Sequence, residues 1–203
     1  MTRLFYERPI NDLFKIVDKN VLNEINSYSD IETANPESLT ETIMQRFKIH
    51  VPVLNSDERK ATPVLENRPG SSFPPSSFAN PNKLYPAAVV NYSIPYTGNP
   101  EIFTAQPNQF TNRTYNVTVD NHFLNFTIDA EYATLDLSDE KIKRVKEIAD
   151  EIIQWTKSNL ELLRQDCANY EIELRNRTLL EIKNKIAIKN KLTDIENKLN
   201  QNN

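Results

Sequence analysis

The chain has 203 residues, 26% of them charged and 38% hydrophobic, with a net charge of −4 and a pI near 5.4. It has no apolar run of about 18 residues, so a helical membrane span is not expected. Two glycines, Gly70 and Gly98, exclude every glycine-rich phosphate loop, the single Cys167 excludes an intramolecular disulfide, and two histidines, His50 and His122, leave little for metal chemistry.

Breakers divide the chain. All 12 prolines lie at or before Pro107, and both glycines at or before Gly98. The first half should be looped and the second half built of long regular elements. The expected fold is α+β: a small, mainly antiparallel β-sheet with N-terminal helices and a long C-terminal α-helical hairpin. Residues 1–65 should hold the N-terminal helices and first strand, and 66–83 a Pro/Ser-rich loop. The sheet core should occupy 84–137 and the helical hairpin 138–203.

In residues 11–28, Leu13, Phe14, Ile16, Val17, Val21, Leu22 and Ile25 fall on one helical face, with Asn11 or Asp12 as cap. Asn35-Pro36-Glu37-Ser38 reads as a second helix start, with Asn35 as cap and Pro36 at the first helical position. Its buried stripe is Leu39, Ile43, Met44 and Phe47. Residues 49–54 read as a short strand, confined to an edge or bulge by Pro52. The loop at 66–83 carries Phe73 and Phe78. Aromatics in such a loop pin it to the body or dock a partner.

Residues 84–95 read as a strand, and Pro100-Glu101-Ile102-Phe103 as one helical turn. In 113–132, Tyr115, Val117 and Val119 alternate with Thr114, Asn116 and Thr118, and Phe123–Ile128 alternate again after Asp120-Asn121. That is a hairpin whose turn lacks the favoured glycine. Ser138-Asp139-Glu140 opens a long helix. Its stripe runs Ile142, Val145, Ala149, Ile152, Thr156, Leu160, Leu163, Cys167, Tyr170 and Leu174, close to the period of a straight α-helix. A second helical segment spans about 177–200, with Leu179, Ile182 and Ile186, then Ile188, Leu192, Ile195 and Leu199. With Asn176 as a cap, the two arms would form a hairpin that keeps both stripes dry. The alternative is one continuous helix used for dimerisation.

The chain contains no GxSxG, HExxH, CxxC or Walker pattern. No catalytic residue, cofactor or metal ligand is therefore assigned. Cys167 falls on the apolar stripe and reads as core. Asp129 and Glu131 share a strand face and offer a metal or acid–base pair, against the simpler reading of a solvated face leading past Asp136 to an acidic helix start. Residues 175–203 hold seven basic residues (Arg175, Arg177, Lys183, Lys185, Lys189, Lys191, Lys198) against Glu181, Asp194 and Glu196. They could contact phosphates, but no aromatics interleave with them to stack bases. Five Asn-x-Ser/Thr sequons, Asn112 among them, follow from the 25 asparagines. The N-terminus lacks the shape of a signal peptide, and a cytoplasmic location is expected.

The string Tyr85-Pro86-Ala87-Ala88, then Ile94-Pro95-Tyr96-Thr97-Gly98-Asn99-Pro100-Glu101-Ile102-Phe103, then Pro107 resembles a module found at the front of bacterial antiviral defence effectors, ahead of a TIR or nuclease-like domain. That module carries an I-P-[FY]-x-G-[DN]-x-x-[LI]-F signature in its sheet, followed by a long helix and a second helix. The likeness covers residues 40–190 and departs in having no small-residue break between the helices. It implies a sensing or assembly role, with catalysis carried by a domain absent from this chain.

The functional expectation is a non-enzymatic recognition and oligomerisation module that binds a protein partner, or itself, through the C-terminal helices. Phe73, Phe78, Lys185, Lys189 and Leu192 are the candidate contacts. Nucleic acid and membrane are not expected partners. The alternatives are a small metal-dependent hydrolase using the strand carboxylates, or a nucleic-acid binder using the basic last helix.

Overall fold

The computed structural model describes residues 2–73, 78–109, 113–120, 122–132 and 137–200. The elements in chain order are β1 (Thr2–Arg3), β2 (Arg8–Pro9), α1 (Ile10–Ser27), α2 (Pro36–Arg46), β3 (Val53–Leu54), β4 (Lys60–Pro69), β5 (Leu84–Thr97), β6 (Ala105–Gln106), β7 (Asn116–Val119), β8 (Phe123–Tyr132) and α3 (Asp139–Asn200). This is the expected α+β class, with an antiparallel sheet, N-terminal helices and a long C-terminal helix. The chain divides into two compact units, Met1–Arg8 with Val51–Leu162, and Pro9–His50 with Leu163–Asn203.

The first unit is built on β5. It pairs antiparallel with β8 on one side, and with β4 and β3 on the other. β7 and β1 continue the sheet beyond β8. Period-two alternation sends Val90, Tyr92 and Ile94 of β5 and Leu124, Phe126 and Ile128 of β8 to one buried face. Tyr92 and Phe126 sit directly opposite each other and stack at 5.3 Å. The first half of α3 supplies Val145, Ala149, Ile152 and Ile153, all buried, and ties itself to this unit through Arg59–Asp150, Arg113–Glu151 and Lys157–Ser56. Trp155 packs between Phe5 at 5.5 Å and Tyr115 at 5.0 Å.

The residues of the quoted signature each have a structural task. Ile94, Ile102 and Phe103 are fully buried, and Tyr96 meets Phe103 edge-on at 4.9 Å. Gly98 has φ 102°, a left-handed conformation that a side chain would strain. The Asn99 side chain accepts the Glu101 N–H at 3.0 Å, and Pro100 opens the 3₁₀ turn Pro100–Thr104. The β7–β8 hairpin replaces the missing glycine with Asp120. Its carboxylate accepts the backbone N–H of His122 at 2.9 Å and of Phe123 at 2.7 Å, and the Asn125 amide at 3.1 Å. Asn121 lies outside the described residues.

Two expectations change here. The strand at 49–54 shrinks to Val53–Leu54, which begins just after Pro52. The expected loop is shorter, because β4 runs as far as Pro69, with Pro69 opposite Leu84. Pro63 and Pro69 are tolerated because, among the described residues, β4 pairs with β5 alone, and an edge strand loses little when a donor is missing. Residues 74–77 lie outside the described part.

The second unit is a set of three helices. α2 begins as expected: the Asn35 side chain accepts the Ser38 N–H at 2.9 Å, and Pro36 occupies the first turn. α1 begins earlier than expected, at Ile10 after Pro9, so neither Asn11 nor Asp12 caps it and Asp12 lies in its first turn. Contacts with α3 advance together along α1, from Phe14 with Tyr170 to Ile25 with Lys185. They run in opposite order along α2, with Glu41 at Arg175 and Glu37 at Lys183. So α1 is parallel and α2 antiparallel to α3 in this unit. The buried stripe Leu163, Cys167, Tyr170, Leu174, Thr178 and Ile182 of α3 faces them.

The C-terminal hairpin does not form. α3 is one continuous helix from Asp139 to Asn200 and passes through Asn176 without interruption. No glycine or proline follows Pro107 to break it, and an asparagine caps a helix only where the backbone before it unwinds. The hairpin expectation assumed that the stripe could be buried only by a second arm. In the structure α1 and α2 bury it from Leu163 to Ile182 and leave Ile188 to Leu199 exposed.

Candidate functional site

α1 and α2 reach as far as Lys183 and Lys185 along α3, and α3 continues past them. The Lys185 ammonium donates to the Ile25 carbonyl at 2.6 Å. α1 has no basic residue in its own last turn, so Lys185 provides the cation that favours a helix C-terminus. From Ala187 to Asn200 every residue is exposed. Four of them are large and apolar: Ile188 at 59%, Leu192 at 58%, Ile195 at 54% and Leu199 at 79% exposure. They recur in steps of four, three and four residues, so they form one stripe. Scattered apolar residues on a surface need no explanation, but a contiguous helical stripe does.

The candidate contacts divide accordingly. Leu192 and Lys189 lie on this exposed stretch, whereas the Lys185 ammonium is engaged inside the second unit. Phe73 meets the Tyr85 ring at 5.6 Å and pins the end of its segment. Phe78 is 95% exposed and has φ 51°, a left-handed backbone for a bulky residue.

Three other basic residues of this part of α3 are turned toward acidic partners in the same unit. Arg175 pairs with Glu41, Lys183 with Glu37 at 2.9 Å, and Arg177 with Asp18 at 2.9 Å. The Glu37 carboxyl is held below its usual range, chiefly by the Lys183 side chain. Asp18 also accepts the Tyr170 hydroxyl at 2.9 Å, while the Tyr170 ring stacks on Phe14 at 4.0 Å. Burial raises the Tyr170 pKa, and the Asp18 bond adds to it. Asp18 escaped sequence reasoning. Its one signal is a carboxylate on the border of an apolar stripe, which many surface residues share.

The chemistry-bearing residues remain dispersed. The Asp129 carboxylate is bound by Arg68, which also holds Glu66 at 3.4 Å. Asp136 and the side chain of Glu131 lie outside the described part. Among the described residues no group of three His, Cys, Asp or Glu side chains is placed to hold a metal ion. Burial pushes the Cys167 thiol up to about 12, helped by Asp166 and Glu171, so it carries no thiolate near neutral pH. His50 is exposed, and His122 serves the hairpin turn through its backbone. On the outward face of the sheet, Asn91, Ser93, Asn125, Thr127 and Arg68 line an open concavity of about 420 Å³. The Thr127 hydroxyl donates to the Asn91 side-chain oxygen at 2.7 Å there. Asp129, held by Arg68, lines it as well, so the surface offers hydrogen bonds and one charged pair.

Among the described residues, no helix is long and apolar enough to cross a membrane. No family model matches the chain, and no curated protein or solved structure is significantly similar to it.

Proposed function

We propose that this chain is a non-enzymatic recognition and self-association module, located in the cytoplasm, in which the end of α3 drives assembly. The observation that carries this reading is the exposed stripe Ile188, Leu192, Ile195 and Leu199 on a helix that has outrun its neighbours. Burying one such side chain is worth about 1.5–3 kcal/mol, so a partner covering all four would be strongly favoured. The polar concavity and Phe78 offer a recognition surface on the first unit. The resemblance at residues 85–107 supports a regulatory role in a bacterial antiviral defence effector, whose catalytic domain would be carried outside this chain.

Sedimentation of the full chain tests the reading. The mass should rise with concentration above 23.5 kDa, and Leu192→Asp should return it to that value at every concentration. A wild-type mass that stays at one chain throughout would overturn the proposal. A measured affinity for nucleic acid that falls steeply with salt would instead favour the basic helix as a phosphate-binding element.

A further inference from the structure

The stripe on the free end of α3 repeats the packed stripe of the same helix. Leu163, Cys167, Tyr170 and Leu174 are spaced by four, three and four residues, and Ile188, Leu192, Ile195 and Leu199 follow the same steps twenty-five residues later. Twenty-five residues are close to seven turns, so the two stripes lie within about 20° of each other around the helix. The first is buried against α1 and α2, and the second is exposed. The face is one seam, half of it filled.

We infer that a second copy of this chain fills the other half, with its α3 running antiparallel to the first. This deepens the self-association reading and rests on it. The occupant and its direction rest on different observations. The flanking charges suit a second copy: Lys189 lies opposite Glu196 of the other copy if the helices are antiparallel, and Lys191 lies opposite Glu196 if they are parallel. The four stripe residues of each chain pair in either direction, with Ile188 against Leu199 and Leu192 against Ile195 in the antiparallel one. The neighbouring helices carry the direction. α1 and α2 occupy this face of α3 up to Lys185. Two parallel copies would bring both sets of helices onto the same side of the seam at the same level. An antiparallel copy instead enters where α1 and α2 stop, and takes their place on the seam. It does so at the cost of one like-charged border, Lys191 against Lys198, which holds the association weak and adjustable.

The charge pattern separates the two directions. In the antiparallel pair Lys191→Glu faces Lys198 and should tighten the dimer about fivefold. In a parallel pair the same substitution faces Glu196 and loosens it.

Disulfide trapping in the full chain gives the direct test. Positions 188 and 188 of two antiparallel copies are offset by about 16 Å along the seam, as are 199 and 199, far beyond the reach of a disulfide. Ile188→Cys alone and Leu199→Cys alone should therefore stay uncross-linked under mild oxidation, and their mixture should give a mixed dimer. Buried Cys167 leaves little background. If each single variant cross-links to itself and the mixture gives no mixed dimer, the copies run parallel. The antiparallel inference then falls while self-association stands. If no cross-link forms and the wild-type mass is that of one chain at every concentration, self-association falls with it.

Discussion

Residues 163–174 and 188–199 of α3 have the same apolar spacing on the same side of one helix, yet Leu163 is fully buried and Leu192 is 58% exposed. The difference lies in the neighbours. α1 and α2 give the first stretch a ring stack and a shared hydroxyl bond at Tyr170, and hold the residues just after it by ion pairs to Asp18, Glu37 and Glu41. They turn back at the level of Lys185. Helical periodicity thus records which face is meant to be covered, and the length of the partner elements decides how much of it is covered within the chain.

The comparison can be broken by truncating one residue in each stretch. Leu174→Ala should lower unfolding stability by about 3 kcal/mol, because it opens a cavity among packed helices. Leu192→Ala should change the stability of the dilute chain by less than about 0.5 kcal/mol and act on association instead. Denaturation at low concentration, set beside sedimentation, separates the two effects. Equal losses of stability would mean that the exposed stripe is covered within the chain.

A smaller effect sharpens the contrast from the first unit, where a single turn side chain replaces a neighbour. Backbone N–H groups of His122, then Phe123, hold the Asp120 carboxyl below its usual range. A carboxyl lowered in the folded state stabilises above its ordinary value, near pH 4, and loses that contribution as the pH falls through the lowered one. Asp120→Ala should cost about 1 kcal/mol at neutral pH and flatten the acid limb of stability below about pH 4. The pH dependence of association should be unchanged, since the free end of α3 is untouched.

Much of this architecture is readable in the residues. The α3 stripe from Val145 to Leu174 is buried where its period places it, and the β7–β8 hairpin follows from its alternation. Leu192 can be picked out in the same way. The rest depends on contacts that have no local signature. β4 hides behind its prolines, because edge position, not composition, is what admits them. The continuity of α3 at Asn176 depends on α1 and α2 burying a stripe that a second arm would otherwise have covered. Lys185 reads as an exposed cation until the end of α1 is set beside it, and Arg68 meets Asp129 only across the width of the sheet.

Amide hydrogen exchange along α3 at two protein concentrations tests the central claim most directly. Protection of residues 163–182 should be high and independent of concentration, while protection of 188–199 should be low in dilute solution and rise as the chain concentrates. If 188–199 stays equally unprotected at both concentrations, or is already protected when dilute, the exposed half of the seam does not bind a second copy.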